Sequence, residues 1–365
     1  MKNTFGTNLL TTIFGESHGP AVGGVLDGLA PGIAVDRARI ERKLALRRPG
    51  GQISTDRVEE DAFEIVSGVF EGRTTGTPLC ILIPNANVRS GDYAKTKDLP
   101  RPGHADYTAF VKYHGFADYR GGGHFSGRVT AALVALGAIV QNALEARGVK
   151  IGTHIARLAD IPDRRFGDPD ADIAALSDRP FPVLDDETAG RMQAAILRAK
   201  EDRDSVGGVL ETVVTGLPAG VGEPWFDTLE GLLSHGLFSV PGVKGVEFGD
   251  GFALAGMRGS EANDPFLPSN GTVVTKTNHN GGINGGISNG MPLLFRCAIK
   301  PTPSIARPQQ TVDLKTGDAA ELSLVGRHDP AIVHRARAVV DAVTALVLAD
   351  ALAGRYGTDW LRGEE

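Results

Sequence analysis

Between Arg128 and Arg147 the chain reads RVTAALVALGAIVQNALEAR, apolar on nearly every face of a helix. Such a helix has no solvent side, so other elements must cover it all round. Ser126 is placed to cap its start and Gly148 to stop it. A second long helix is expected from Pro330 to Gly354, where Ile332, Val333, Ala336, Val339, Val340, Val343, Leu346 and Val347 share one face and a proline opens the first turn. Buried helices need sheets to cover them, so the expected fold class is α+β, a sandwich of helices between sheets.

The passage AVGGVLDGLAPG (Ala21 to Gly32) returns in altered form as SVGGVLETVVTGLPAG (Ser205 to Gly220). Each leads to an aspartate and an apolar-periodic stretch. After Asp36, Ile40, Leu44 and Arg47 fall on helical spacing; after Asp227 comes TLEGLLSHGLFSVPG, with Asp227 and Glu230 as a capping box. Both helices run into a Pro-Gly break, at Pro49 and Pro241, followed by strand-like sequence at Phe63 to Phe70 and Val243 to Phe252. The reading is one domain over residues 1–365 with a pseudo-twofold duplication, halves at about 10–150 and 195–350, and an exposed Asp-, Arg- and Pro-rich insertion at about 158–186.

Glycine makes up 48 of the 365 residues, about twice the usual share, without the period of a fibrous chain. It must serve tight turns and close backbone approach. No run of about 18 uninterrupted apolar residues and no basic-then-apolar start suggest a membrane span or an export signal, so the expected partners include no membrane. Cys80 and Cys297 sit in apolar runs and read as buried free thiols, which fits a cytoplasmic location. A net charge of -6 offers no broad basic field, and 6% aromatic residues offer few stacking platforms, so nucleic acid is not an expected partner. Yet 27 arginines stand against 11 lysines, and guanidinium suits phosphate and carboxylate.

Chemistry-bearing residues gather in GESHGP (Gly15 to Pro20), RPGHADY (Arg101 to Tyr107), YRGGGHFSGR (Tyr119 to Arg128) and GRHDP (Gly326 to Pro330). Taken singly, His18 reads equally as a turn residue, His104 as a satisfied loop histidine and Asp329 as a cap for the helix at Pro330. Together they read as a site. GGGHFSGR offers backbone N–H groups, the Ser126 hydroxyl and the Arg128 cation for an anion at a helix start. It is no Walker loop, and no GxGxxG fingerprint occurs. NHNGGINGGISNG (Asn278 to Gly290) is either a long surface loop or a backbone cradle for a flat or phosphorylated ligand.

These segments, with RRPG at Arg47 to Gly50, SGVFEGRTTGTP at Ser67 to Pro78, VKGVEFGDGF, KPTPS at Lys300 to Ser304 and GRHDP, occur in the order found in the chorismate synthase family, which the sequence resembles over nearly its whole length. The resemblance implies that family's sandwich of helices between antiparallel sheets. It implies a carbon–oxygen lyase acting on phosphate: the anti-1,4 elimination of phosphate from 5-enolpyruvylshikimate 3-phosphate to chorismate, with reduced FMN required and no net redox change. By the same resemblance His18 serves the leaving phosphate, His104 lies near the flavin ring, and Asp329 is the base, with the flavin carrying the proton. Substrate contacts fall to Ser17, Arg47, Arg48, Arg101, Ser126, Arg128 and Arg327. Flavin contacts fall to His124, Phe125, Ser126, Pro241, Gly242, Gly285, Lys300, Pro301, Thr302, Pro303, Ser304 and Arg327. A homotetramer is implied as well.

Departures from the family pattern bear on one expectation. HFS follows the glycines in place of an arginine–serine version, Pro303 stands where serine is common, and GGQIST lacks an arginine around Ile53. That leaves Arg47 and Arg48 as the contacts for an NADP phosphate and makes an external flavin reductase the expected source of reduced FMN. The competing enzyme reading is a metal-dependent phosphohydrolase with His18, His104, Asp106, His328 and Asp329 around a divalent ion; the family reading expects no metal.

Overall fold

A computed structural model of the chain describes residues 2–55, 60–86, 96–324 and 328–362. The first half runs β1 (Thr4–Phe5), β2 (Leu10–Gly15), β3 (Ala21–Asp27), α1 (Arg37–Arg47), β4 (Glu64–Ser67), a ribbon of β5 (Val69–Phe70) and β6 (Arg73–Thr74), β7 (Leu79–Pro84), α2 (Asp106–Lys112) and α3 (Thr130–Ala146). The second runs β8 (Lys150–Leu158), β9 (Ile161–Pro162), α4 (Pro169–Leu176), α5 (Asp186–Glu201), β10 (Gly208–Thr215), α6 (Leu229–Phe238), β11 (Val243–Phe248), a single turn α7 (Gly259–Ala262), a ribbon of β12 (Phe266–Ser269) and β13 (Thr272–Thr275), another of β14 (Ile283–Asn284) and β15 (Ile287–Ser288), β16 (Leu293–Ile299), a ribbon of β17 (Gln309–Val312) and β18 (Ala319–Leu322), and α8 (Val333–Tyr356).

Two five-stranded antiparallel sheets result, in the orders β1-β2-β3-β7-β4 and β11-β16-β10-β8-β9. One topology is used twice. In each, two neighbouring strands (β2, β3; β8, β10) lead through a helix (α1; α6) to a strand further out (β4; β11), and the next strand (β7; β16) fills the gap before a long buried helix (α3; α8). Those two helices lie between the sheets: α3 covers β3, where Leu136 and Ala132 crowd Gly24, and α8 reaches β10 through Val333 beside Gly208.

The helices meet at their tightest where Gly137 of α3 faces Ala342 of α8. A Cβ at Gly137 would lie 2.4 Å from that of Ala342, so only glycine permits this approach. The helix Gly127–Ala146 is long and apolar enough to cross a membrane by composition, but 83% of it is buried within the protein, which is what a core helix shows. Cys80 and Cys297 are free thiols, and burial pushes the Cys297 thiol up to about 12.

Two expectations about local structure are corrected and a third is refined. Thr228, not Asp227, caps α6, its Oγ1 accepting from Gly231 N at 3.0 Å, because a one-turn 3-10 helix takes up Trp225–Asp227 first. Helix α8 begins at Val333 rather than Pro330, and no side chain caps it, so Asp329 is not a cap. The segment 158–186, expected as an exposed insertion, is exposed over much of its length yet carries structure of its own. It carries β9 and α4, buries Leu176, Phe181 and Val183, and packs Ile173 onto the outer face of β8 at Gly152. Its anchor is Asp163, which takes His154 Nδ1 at 2.9 Å and the Leu184 amide at 2.6 Å; a stretch of such polar composition can dock because its charges find fixed partners.

The Gly137 contact is testable by unfolding. Gly137→Val should lower the melting temperature by an overpacking cost of about 1–3 kcal/mol, whereas Gly190→Ala in α5, with open space around it, should hold or raise it.

Candidate active site

Three helix ends meet at one end of the sandwich. Arg47, the last residue of α1, points Nη1 at the Gly127 carbonyl just before α3, and Arg335 in the first turn of α8 donates Nε to the Arg47 carbonyl at 2.8 Å. Since Gly137 and Ala342 meet a similar distance along their helices, α3 and α8 start side by side. Both positive dipole ends therefore face the same space. Ser126 caps not α3 itself but the 3-10 turn Gly127–Val129 that leads into it, its Oγ accepting from Arg128 N at 3.2 Å, and α3 begins at Thr130 with no side-chain cap.

Beneath this space lies Asp61, its side chain fully buried. It accepts from Arg47 Nη2 at 3.0 Å and from Arg128 Nη1, with Arg48 Nε 3.6 Å away. Against the burial that pushes it up, Arg47 and then Arg128 hold the Asp61 carboxyl below its ordinary range. The rest of Arg128 is also engaged, Nε with Asn85 Oδ1 at 2.9 Å and Nη2 with the Pro84 carbonyl at 3.2 Å. Side-chain exposure separates the arginines: 4% and 5% for Arg47 and Arg128, 31% for Arg48. The first two charge the floor of the site and the third reaches its mouth.

The triple glycine forms one wall. Gly121, Gly122 and Gly123 all have positive φ, which any other residue would adopt under strain. Side chains leave no room for substitution either. A Cβ on Gly121 would lie 2.5 Å from His18 Cδ2 and 2.9 Å from Ser17 Oγ, and one on Gly122 would lie 3.2 Å from His104 Cε1 and 3.5 Å from Arg101 Nη2. Bare backbone thus separates the two histidines. The turn bearing His18 is pinned by Ser17 N to the Gly123 carbonyl and by Asn85 Nδ2 to the carbonyls of Glu16 and Gly19. His104 Nδ1 lies 2.7 Å from Asp106 Oδ1, and Asp106 also takes Arg101 Nε and Nη2 at 2.7 and 2.8 Å.

Asp329 closes the ring. Its carboxylate receives the Thr55 amide at 3.2 Å and Arg335 Nη1 at 2.5 Å, which ties it to Arg47 through the other face of Arg335. Its neighbour His328 is lowered by burial and then by the nearby Arg101. His18, His104, Asp329, Ser17, Arg47, Arg48, Arg101, Ser126 and Arg128 therefore belong to one connected constellation.

Lys300 to Ser304 join it through Lys300 Nζ on the Gly103 carbonyl and Arg101 Nη1 on Ser304 Oγ. Pro241 and Gly242 come with them, because Lys300 N donates to the Gly242 carbonyl. His124 and Phe125 follow the triple glycine, but His124 Nδ1 is turned to the Gly15 carbonyl at 2.8 Å and Phe125 packs on Tyr113. Gly285 lies elsewhere. Its neighbour Gly286 accepts from Leu229 N at the start of α6, while Gly242 follows the other end of that helix, about 15 Å away at 1.5 Å per residue. Arg327 falls outside the described residues. Asp61, Asn85 and Arg335 are additions: as isolated residues in unremarkable stretches they carry no motif.

With the geometry in place, comparison with known proteins decides the family. The family model for chorismate synthase matches residues 9–353. The chain belongs to the chorismate synthase family. Curated chorismate synthases resemble it closely: that of Aeropyrum pernix is 45% identical, covering 100% of this chain and 98% of its own, and that of Thermococcus gammatolerans is 48% identical, covering 96% and 97%. A crystal structure of chorismate synthase superposes with a TM-score of 0.76 at 28% identity, over 97% of this chain and 94% of the other. The protein is accordingly an enzyme, a carbon–oxygen lyase of amino-acid biosynthesis. Among the described residues no group of three His, Cys, Asp or Glu is arranged to hold a metal ion, and Asp106 is committed to Arg101 and His104.

Asp61 gives this member of the family a testable acid limit. Its carboxyl is lowered in the folded state, so in acid the unfolded chain binds the extra proton, and the stability it contributes is present above the usual carboxylate range and lost as pH falls below it. Asp61→Asn removes a buried carboxylate that two buried guanidinium groups share, and should cost about 3–5 kcal/mol at neutral pH. Denaturant unfolding from pH 7 to pH 3 should show a shallower acid decline in the variant.

Proposed function

We propose that the constellation eliminates phosphate from 5-enolpyruvylshikimate 3-phosphate to give chorismate, with reduced FMN bound and no net redox change. The observation that carries this is the placement of His18 and His104 across bare glycine backbone, above several guanidinium groups and two helix starts. A substrate with one phosphate and two carboxylates asks for that concentration of positive charge.

The residues present fit a flavin beside such a substrate. Ser17 Oγ, Thr302 Oγ1 and His328 Nε2 are buried with no hydrogen-bond partner among the described residues, although such atoms cost about 1–3 kcal/mol each when left unsatisfied. They border the triple glycine, the 300–304 segment and Arg101, the three parts of the wall. His124 to Ser126, Gly242 and Lys300 to Ser304 would hold the cofactor. Reduced FMN, when bound, supplies the electron density that eases departure of the phosphate.

The protein's own residues do the rest. Arg48 and Arg101 receive anionic groups of the substrate, and Arg47 and Arg128 add field from below. His18 meets the leaving phosphate oxygen and supplies its proton. Asp329, oriented by Arg335 and the Thr55 amide, accepts the proton lost from the ring. Arg47 is too deeply placed to greet an NADP phosphate, which leaves Arg48 alone for that contact. A homotetramer in the cytoplasm, served by a separate flavin reductase, completes the proposal.

The test is anaerobic. With the phosphorylated substrate and pre-reduced FMN the protein should release phosphate and chorismate, and a chelator should leave the rate intact; loss of activity to the chelator favours a metal phosphohydrolase. Given oxidised FMN and NADPH alone it should form only traces of chorismate, and a rate matching pre-reduced FMN refutes dependence on a separate reductase. His18→Ala should lower turnover roughly 10²- to 10⁴-fold with the fold unchanged, and wild-type turnover would remove His18 from the mechanism.

A further inference from the structure

We propose that Asp106 is the positioning residue of His104: it accepts the Nδ1 proton and so fixes the imidazole in the tautomer whose Nε2 faces the triple glycine. Asp106 Oδ1 is 2.7 Å from His104 Nδ1, with Arg101 Nη2 3.1 Å from the same nitrogen. A bare Nδ1 would set its lone pair against a carboxylate oxygen at that distance. A proton must lie between them, and it is the imidazole's. Against desolvation that pushes it up, hydrogen bonds from Arg101 and His104 hold the Asp106 carboxyl far below its ordinary range, so the oxygen brings no proton of its own. With Nδ1 committed, exchange is left to Nε2, and the Cε1–Nε2 edge is the part of the ring that borders Gly122.

The clamp is held from every side. Asp106 takes the Arg101 amide, Nε and Nη2 as well as the imidazole. Arg101 in turn reaches Ser304, and Lys300 of the same segment fastens the Gly103 carbonyl. His328 lies on the far side of Arg101, and His18 lies beyond Gly121. No titratable side chain comes from Gly121 to Gly123 themselves. Among the described residues the Asp106 carboxylate is thus the group that selects the His104 tautomer, because the other partner of Nδ1 there, a guanidinium, would select the opposite one.

The inference rests on the proposed elimination for its kinetic consequence but not for the tautomer itself, and the experiment separates them. In Asp106→Asn, the two Arg101 donors at Oδ2 claim the amide oxygen and turn the amide NH₂ toward Nδ1, which must then accept. With phosphorylated substrate and reduced FMN, kcat should fall roughly 10²- to 10⁴-fold. In a His104→Ala background the same change should alter kcat less than about threefold, since the two residues act as one unit. Losses that multiply in the double variant overturn the proposal. Nitrogen NMR of histidine-labelled wild-type protein should show His104 protonated at Nδ1, and a proton on Nε2 in the neutral ring overturns it without any activity being measured. That measurement needs no variant to fold. Should the wild-type protein form no chorismate, the functional reading falls while the spectrum still decides the role of Asp106.

Discussion

Everything in this molecule hangs on the contact between α3 and α8 at Gly137 and Ala342. A helix apolar on nearly all sides and a second one buried along most of its length must be sheathed by sheets, and the absence of one side chain lets them approach closely enough for both sheets to close over them. Their common direction then follows through to chemistry. Helix starts that lie together pool their partial positive charge, and the chain lines that spot with arginines rather than diluting it. A fold requirement and an electrostatic requirement are met by one arrangement.

Charge of that density needs management in its own right. Asp61 is the device, one buried carboxylate against Arg47 and Arg128. It keeps the two guanidinium groups oriented. The same logic recurs at smaller scale, with Asp106 for Arg101 and Asp329 for Arg335, so that each strongly basic group has an acidic partner of defined geometry. Along the wall of the site, Ser17, Thr302 and His328 each keep a buried polar atom with no hydrogen-bond partner among the described residues.

Much of this was legible beforehand because glycine and histidine mean something specific in sequence. GGGHFSGR could be read as backbone N–H groups, a hydroxyl and a cation gathered at a helix start, and the two long helices were legible because one is apolar on nearly every face and the other carries its apolar residues along one face. Less legible were element starts. Asp227 looked like a cap but sits inside a turn that ends at Thr228, and Pro330 looked like a first helical residue although 328–332 are drawn away to the site. Asp61, Asn85 and Arg335 were invisible for a plainer reason. Each acts on residues far off in the chain, and no local spacing encodes that.

The position of α8 in the chain sets the order in which this protein can come into being. The helix that fills the centre is the last long element to be made, and its Asp350 takes the backbone amides of Thr7, Asn8 and Leu9 at the opposite terminus. Contacts spanning almost the entire length are slow to find, because loop closure must be met before they reward it. Until α8 leaves the ribosome, the inner faces of both sheets and of α3 have nothing to rest against, and Asp329 and Arg335 are not yet in place. The docking of α8 therefore completes the core and brings Asp329 and Arg335 to the site in one step.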